Sequence, residues 1–406
     1  MTSQGGVAAA GRTLAVLRLE SFRGYARLDA SFGPGPQLVW GQNAAGKTSL
    51  LEAMALLAWG HSHRSTSDPE LIRWGDDVAR VEGSFGGELL EVALVRPASS
   101  AAAAGGRKRI RINGVPRRSA ALGEHLRVVL FAPEDMLLIV GSPTLRRATL
   151  DRLAAGLWPA YADALATYGR ALQQRNSLLR LIREETAGRD ELRLWDEPFL
   201  SSGAEIVAGR HRLLAELGGP LAAAHAEIAP DEAAAAALGL RYLTNAPPAP
   251  GEEPRHALAR RLAETAEKEV WNGTTLIGPH RDDVAFELAG RELAGFASRG
   301  QQRTAILALK LAELDLLTVH DGRPPLLLLD DVFSELDPAR RSHLVRRISA
   351  LPQAFVTTTT LEDLDPALRA IATAWEVRTG PAGAELTADA DPGAPERPAD
   401  PGAELA

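Results

Sequence analysis

Apolar positions along this 406-residue chain change period several times, and the changes divide it into blocks. "TLAVLRLESF", "LDASF" and "PQLVW" near the N-terminus alternate or run apolar, which predicts strands. "KTSLLEAMALLAWG" predicts a helix stopped at Gly60. Residues 78 to 131 read as further strands, including the hairpin "RKRIRINGVPRR", whose Asn113-Gly114 suits a two-residue turn. From Pro143 to about Ile228 the pattern becomes strongly helical, and "APPAPGEEP" beyond it reads as a loop. "TTLIG" and "DDVAFELAGREL" are strand-like. In "ASRGQQRTAILALKLAELDLL" (297–317), Ile306, Leu309, Leu311, Leu314 and Leu317 follow helical spacing. "PPLLLLDDV" and "QAFVTTT" are short, continuously apolar strands of the kind buried in a parallel sheet. There are no repeats. The pattern predicts an α/β lobe split in sequence, with a mainly helical lobe inserted into it.

Composition narrows the class. A chain of 43.2 kDa can bury a full core and is expected to form two lobes. No apolar run is long enough to span a bilayer, and the N-terminus lacks the pattern of a signal peptide, so a cytoplasmic protein is expected. With no cysteine, disulfides, thiolate metal sites and a Cys nucleophile are excluded. The net charge of −7 argues against a nucleic-acid partner until its location is considered. From Gly380 on, a Pro/Gly/Ala-rich stretch carries six acids and one Arg, so −5 of the −7 lies there and the remainder is near −2. Such a stretch is expected to be a solvated tail, and local basic patches then matter more than the total.

"WGQNAAGKTS" carries the first chemistry. Gly41, four residues, then Gly46, Lys47 and Thr48 follow a strand and open a helix, which is the context a phosphate-binding loop requires. The glycines let backbone N–H groups along Gly41, Gln42, Asn43, Ala44, Ala45 and Gly46 close around a phosphate. Lys47 is placed for the β/γ oxygens of ATP, Thr48 for Mg²⁺, and Ser49 follows at the helix start.

"LLLLDDVFSELD" supplies the complementary carboxylates. Asp330 ends a buried strand, placed to hold Mg²⁺ through its water shell, and Asp331 follows where a base or water-positioning group sits. Adjacent acids repel, and a metal cation offsets that repulsion. Asp337 lies seven residues after Asp330, before the helix "PARRSHLVRRI".

A second donor-rich helix start remains. Ser298, Arg299, Gly300 and Gln301 crowd polar groups at a helix N-terminus, where unpaired N–H groups bind anions. That is redundant within one ATP site, but it makes sense if it closes over the ATP of a second subunit. The order of phosphate loop, "SxGQ" helix start, strand ending in two acids, and a further Asp resembles ABC-type ATPases. In that family, two heads sandwich two nucleotides. The resemblance implies an ATP-dependent homodimer in which Ser298 and the Gly300 N–H touch the γ-phosphate in trans.

"FRGY", "GHSHR", "FAPEDMLLIVGSPTLRRATLD", "ALQQRNSLLR", "LWDEPF", "IGPHRDD", "SRGQQRTAILALKLAE" and "LLLDDVFSELD" narrow the resemblance to the RecF family of bacterial recombination mediators. They cover most of residues 14 to 361. The resemblance implies that the split lobe, 12–132 and 296–379, is an ABC-type ATPase head around the mainly helical lobe at 133–295, while the sequence itself predicts disordered ends at 1–11 and 380–406. It also implies an ATP-gated dimer that binds double-stranded and gapped DNA. Such a dimer works with RecO and RecR partners in loading recombinase, with a slow ATPase serving as a switch. Asp331 stands where many ABC-type relatives have Glu, and Thr358 where many have His; both departures point to slow hydrolysis.

Other features stay open. His280 fits either a site role or a satisfied structural histidine, whereas His61 and His63 read as loop residues. The Arg pairs 146–147 and 340–341 either contact DNA or coat helices. Arg107, Arg109 and Arg111 share one face of a strand beside Lys108, Arg117 and Arg118, while Ile110 and Ile112 pack inward. That hairpin is either a phosphate-tracking edge or a solvated one that blocks strand pairing. Two other functions fit the phosphate motifs. One is a head of the SMC or Rad50 kind, disfavoured by the short insert without sustained heptads. The other is a transporter's nucleotide subunit, which leaves the RecF-like stretches unexplained.

Overall fold

The computed structural model describes residues 12–97, 107–362 and 364–388. The expected N-terminal extension and residues 389–406 of the expected acidic tail lie outside them. The chain forms two compact units, dividing at 128/129 and 325/326.

In the first unit, strand Gly35–Trp40 lies parallel to Gln353–Thr358 on one side and to Thr373–Gly380 on the other. Leu326–Asp330 runs parallel along the far edge of Gln353–Thr358. All five of its residues are buried, as are all six of Gln353–Thr358, which explains why these strands read as unbroken apolar runs. A second, antiparallel sheet follows the order 25–31, 14–22, 78–85, 88–95, 107–112, 115–117. Helix Lys47–Trp59 packs against strands of both sheets. It is buried continuously from Leu50 to Ala58, so it carries no polar stripe. Gly60 ends it in the left-handed region at φ 71°, donating to Leu56 O.

The Asn113-Gly114 turn has positive φ at both residues, 51° and 78°, the twist that matches a two-residue hairpin. Ile110 and Ile112 face the core, while Arg107, Arg109 and Arg111 face solvent.

The second unit is built from helices Pro143–Leu157, Pro159–Arg183, Arg193–Ile228, Pro254–Asn272 and Arg299–Asp321. Beside them sits an antiparallel sheet in the order 291–292, 283–288, 238–243. Helix Arg299–Asp321 packs along Arg193–Ile228, so it belongs with the helical unit rather than with a segment 296–379 of the ATPase lobe. A buried Lys310 at its middle contacts Asp135 at 3.2 Å and Glu313 at 3.4 Å.

Two further expectations change, and two elements were not foreseen. "TTLIG" is not a strand: its backbone donors go to side chains instead of a ladder, Thr275 N to Asn176, Leu276 N to Glu269 and Gly278 N to Asn245. Helix Pro254–Asn272 and strand Leu238–Leu243 were not legible in the apolar pattern. The segment read as a tail from Gly380 begins with strand Gly383–Ala388, paired antiparallel with Thr373–Gly380.

Candidate nucleotide-binding site

The loop 41–46 joins strand Gly35–Trp40 to helix Lys47–Trp59, and its shape depends on two glycines. Gly41 has φ 150°, and a Cβ there would lie 2.2 Å from the carbonyl oxygen of Val377. Gly46 has φ 122°, and a Cβ there would come within 2.9 Å of Ala384. Only glycine fits either position. Ala44 also takes positive φ, at 64°, and Ala45 N closes onto Gln42 O at 3.2 Å. No side chain caps the helix start, so its N–H groups are available to an anion.

Lys47 Nζ folds back over the loop, donating to Gly41 O at 2.6 Å and Gln42 O at 2.9 Å. Burial holds its ammonium below the usual lysine value, against the opposing pull of Asp331 and Asp330. A cavity of about 250 Å³ opens here, lined by Asn43, Ala44, Gly46, Lys47, Thr48, Ser49, Arg64, Asp330, Asp331 and Thr359. Lysine, an uncapped helix start, a threonine hydroxyl and two carboxylates around one polar cavity are the donor set that a Mg²⁺-bound polyphosphate requires.

The carboxylate side of the cavity is preorganised. Asp330 is buried and its Oδ1 accepts from the Thr357 hydroxyl at 2.6 Å. The same hydroxyl accepts from Asp331 N at 3.0 Å, and Asp331 sits in the left-handed region at φ 52°. For a non-glycine residue that conformation costs energy and is found at functional sites. Asp337 caps helix Pro338–Ser349 by accepting from Arg340 N at 3.0 Å. That N–H is the main influence holding its carboxyl below the ordinary range.

Reading the sequence alone missed Thr357, Arg64 and Thr359. The expected Thr358 is buried, donates to Thr360 O at 2.9 Å and does not line the cavity; Thr359 does. The signal for Arg64 was present in "GHSHR". Ser62 of that stretch takes the Arg64 and Ser65 N–H groups on its hydroxyl at 2.9 and 3.0 Å, shaping the turn that carries Arg64.

In the helical unit, Ser298 and Gln301 form a reciprocal cap: Ser298 Oγ accepts from Gln301 N at 3.2 Å, and Ser298 N donates to Gln301 Oε1 at 3.0 Å. Arg299 and Gly300 open the helix between them, and a Cβ built at Gly300 meets nothing closer than Ser298 Oγ at 3.8 Å.

The open features resolve by their partners. His280 Nδ1 lies 2.6 Å from the Tyr168 hydroxyl and Nε2 3.3 Å from Thr275 O, contacts that fit a structural histidine, and burial pushes the ring down to about 4. Arg146 donates twice to Asp283 at 2.7 Å, and Arg147 donates to Asp282 O at 2.7 Å. Arg210 grips Asp151 at 2.8 and 2.9 Å and Pro279 O at 2.7 Å. These contacts make "GSPTLRRATLD" and "GPHRDD" one interlocked set that holds the helical unit together. In the hairpin, Lys108 is tied to Asp68 at 2.9 Å and Gly60 O at 2.7 Å, and Arg111 leans on Glu91 at 3.6 Å.

Residues 13–378 match the family described as the RecF/RecN/SMC N terminal domain. The "DNA replication and repair protein RecF" of Symbiobacterium thermophilum is 39% identical over 358 residues, covering 86% of this chain and 92% of that protein. The protein of the same name from Lacticaseibacillus casei is 37% identical over 375 residues, covering 90% and 97%. A structure of the recombination mediator protein RecF with ATP, in the RecFOR pathway, aligns with a TM-score of 0.83 at 29% identity, covering 95% of this chain and 100% of that one. The Smc head domain of Pyrococcus furiosus shares the fold at a TM-score of 0.52 and 17% identity, covering 93% and 96%. The fold is thus the ABC-type α/β head common to RecF and SMC proteins, and the chain belongs to the RecF family of DNA replication and repair proteins.

Proposed function

We propose that this chain is an ATP-gated DNA-binding mediator of recombinational repair. The observation that carries the proposal is one polar cavity lined by Lys47, Thr48, Asp330 and Asp331 together. The Lys47 ammonium, now held by two loop carbonyls, is the group that would bind β- and γ-oxygens of ATP, with the uncapped helix start below them. Thr48 and Asp330 would hold Mg²⁺, which neutralises charge between the β- and γ-phosphates. Asp331, one methylene shorter than Glu, would orient the attacking water, and the short reach fits a slow switch. Asp337 caps the helix that follows this acid pair.

Two readings complete the proposal. Ser298, Arg299, Gly300 and Gln301 would meet the γ-phosphate held by a second copy, so that ATP joins two heads into a homodimer. Arg107 and Arg109, facing solvent on the hairpin, would contact the backbone phosphates of double-stranded or gapped DNA. The RecFOR pathway named for the ATP-bound relative supports RecO- and RecR-type partners; with them the chain would help load recombinase on single-stranded DNA. Light scattering with ATP or ADP, with and without duplex DNA, tests the proposal. A dimer is expected with ATP and Mg²⁺ alone, strengthened by DNA; a mass independent of nucleotide would overturn it.

A further inference from the structure

Trp74 is 97% exposed, an unusual position for an indole, which normally gains from burial. Its loop is firmly held. Ile72 bridges Phe22, and Arg73 N donates to Ser21 O at 2.8 Å. Asp76 N donates to Arg73 O at 3.1 Å, and Arg96 donates to Asp76 O through its side chain at 3.2 Å and to Asp77 O through its backbone at 2.8 Å. The Arg73 guanidinium reaches Ala382 O at 2.9 Å. The ring is therefore presented by a fixed turn and not by a frayed tip.

The register of the antiparallel sheet shows what lies at the same end. Val78 pairs with Val95 and Val95 with Arg107 in the outermost row; in the next row inward on the same face, Arg80 pairs with Ala93 and Ala93 with Arg109. Val78 is exposed, and so are Arg80, Arg107 and Arg109. Among the described residues neither Arg107 nor Arg109 is ion-paired, whereas Arg80 only approaches Glu91 at 3.6 Å and Glu82 at 3.9 Å. The exposed indole thus stands four residues before Val78, at the sheet end where Arg107 and Arg109 face solvent without ion pairs among the described residues. A polyanion with flat apolar rings complements that surface, because phosphates suit the guanidiniums and an aromatic base suits the indole.

We propose that Trp74 is a stacking platform for an unpaired base of a DNA strand whose backbone runs over Arg107 and Arg109. The inference rests on the DNA-binding reading above and adds a specificity residue to it. A base inside a continuous duplex is already stacked on both faces and cannot use the indole. A base at a single-stranded gap can. Stacking is nearly independent of salt, whereas each phosphate contact steepens the salt dependence.

The test measures binding of a blunt duplex and of a gapped duplex of the same length, with ATP and Mg²⁺, across a salt series. Trp74→Ala is expected to weaken gapped-DNA binding about tenfold, within the range for one stacked base. It should leave blunt-duplex affinity and both salt slopes unchanged, and Trp74→Phe should retain most of the gapped-DNA affinity. Equal binding of both DNAs by Trp74→Ala and wild type would overturn the inference alone. So would an equal loss on both DNAs, or a loss of ATP-driven dimerisation without DNA, which would assign the indole to a contact between copies. A wild-type chain that binds neither DNA would overturn the DNA reading and this inference with it.

Discussion

The Thr357 hydroxyl donates to Asp330 Oδ1 at 2.6 Å while accepting the backbone N–H of Asp331 at 3.0 Å. One fully buried side chain on strand Gln353–Thr358 therefore fixes both acids at the end of strand Leu326–Asp330. Hydrogen bonds to a buried charge contribute about 1.5–3 kcal/mol, and removing one partner leaves the other unsatisfied. Thr357→Val is expected to weaken Mg²⁺-nucleotide binding about tenfold or more and to lower the melting temperature. Thr357→Ser should restore both. Nucleotide titration and thermal unfolding check the pair.

Asp330 and Asp331 are expected to fail differently. Asp330→Asn removes charge from the buried residue assigned to Mg²⁺ and should weaken Mg²⁺-nucleotide binding itself. Asp331→Asn should preserve binding and dimerisation but slow hydrolysis, holding the dimer on DNA. Separate measurements of ATP affinity and single-turnover hydrolysis distinguish them; the same defect in both would overturn the division of roles.

The hairpin makes an electrostatic prediction. Each phosphate contact contributes about 0.9 to the slope of log K against log salt. Replacing Arg107, Arg109 and Arg111 with Ala should therefore reduce the slope for duplex DNA by about two units. The reduction falls short of three full contacts because Arg111 is already shared with Glu91. ATP-driven dimerisation without DNA should be untouched. An unchanged slope would leave these residues as a solvated edge that blocks strand pairing.

His280 predicts a pH dependence of stability. Burial lowers its folded-state value to about 4, below the ordinary 6.5, so the unfolded chain binds the extra proton first. Its contribution is intact above about pH 6.5 and is lost as pH falls toward 4, amounting to a few kcal/mol at most. His280→Gln should flatten this part of the stability curve, read from denaturant midpoints between pH 4 and 7. A curve with the same steepness in both proteins would show that another group carries the acid sensitivity.

The phosphate loop and the paired acids were legible in the sequence because their chemistry is contiguous: Gly41 to Thr48 is one strand–loop–helix, and Asp330 ends an apolar run. Thr357 was not, because its role depends on which strand lies beside Leu326–Asp330, a relation that no local pattern encodes. The choice between Thr358 and Thr359 turned on one residue of strand phase at a strand end, where "TTTT" gives no hydrophobic alternation to fix it. "TTLIG" reads as a strand by composition, yet Asn176, Glu269 and Asn245 take its backbone donors from distant elements. Strand Gly383–Ala388 was hidden by its composition, GAELTA, in which Leu386 is the one large apolar residue, and as an edge strand it buries only Ala384.

ATP is expected to join two copies, each contributing its Lys47 loop to one nucleotide and its Ser298 helix to the other. Mixing two defective chains tests it most directly. Lys47→Met should abolish ATP-driven dimerisation by removing the ammonium from the phosphates, and Ser298→Arg should abolish it by blocking the facing surface. If the two surfaces act in trans, a mixed pair contains one intact composite site, with Lys47 from one chain and Ser298 from the other. ATP-dependent association measured between differently labelled chains should then reappear in the mixture, though in neither variant alone, together with partial ATP turnover. A mixture as inert as its components would contradict the account, because it would place both surfaces on the nucleotide of the same chain.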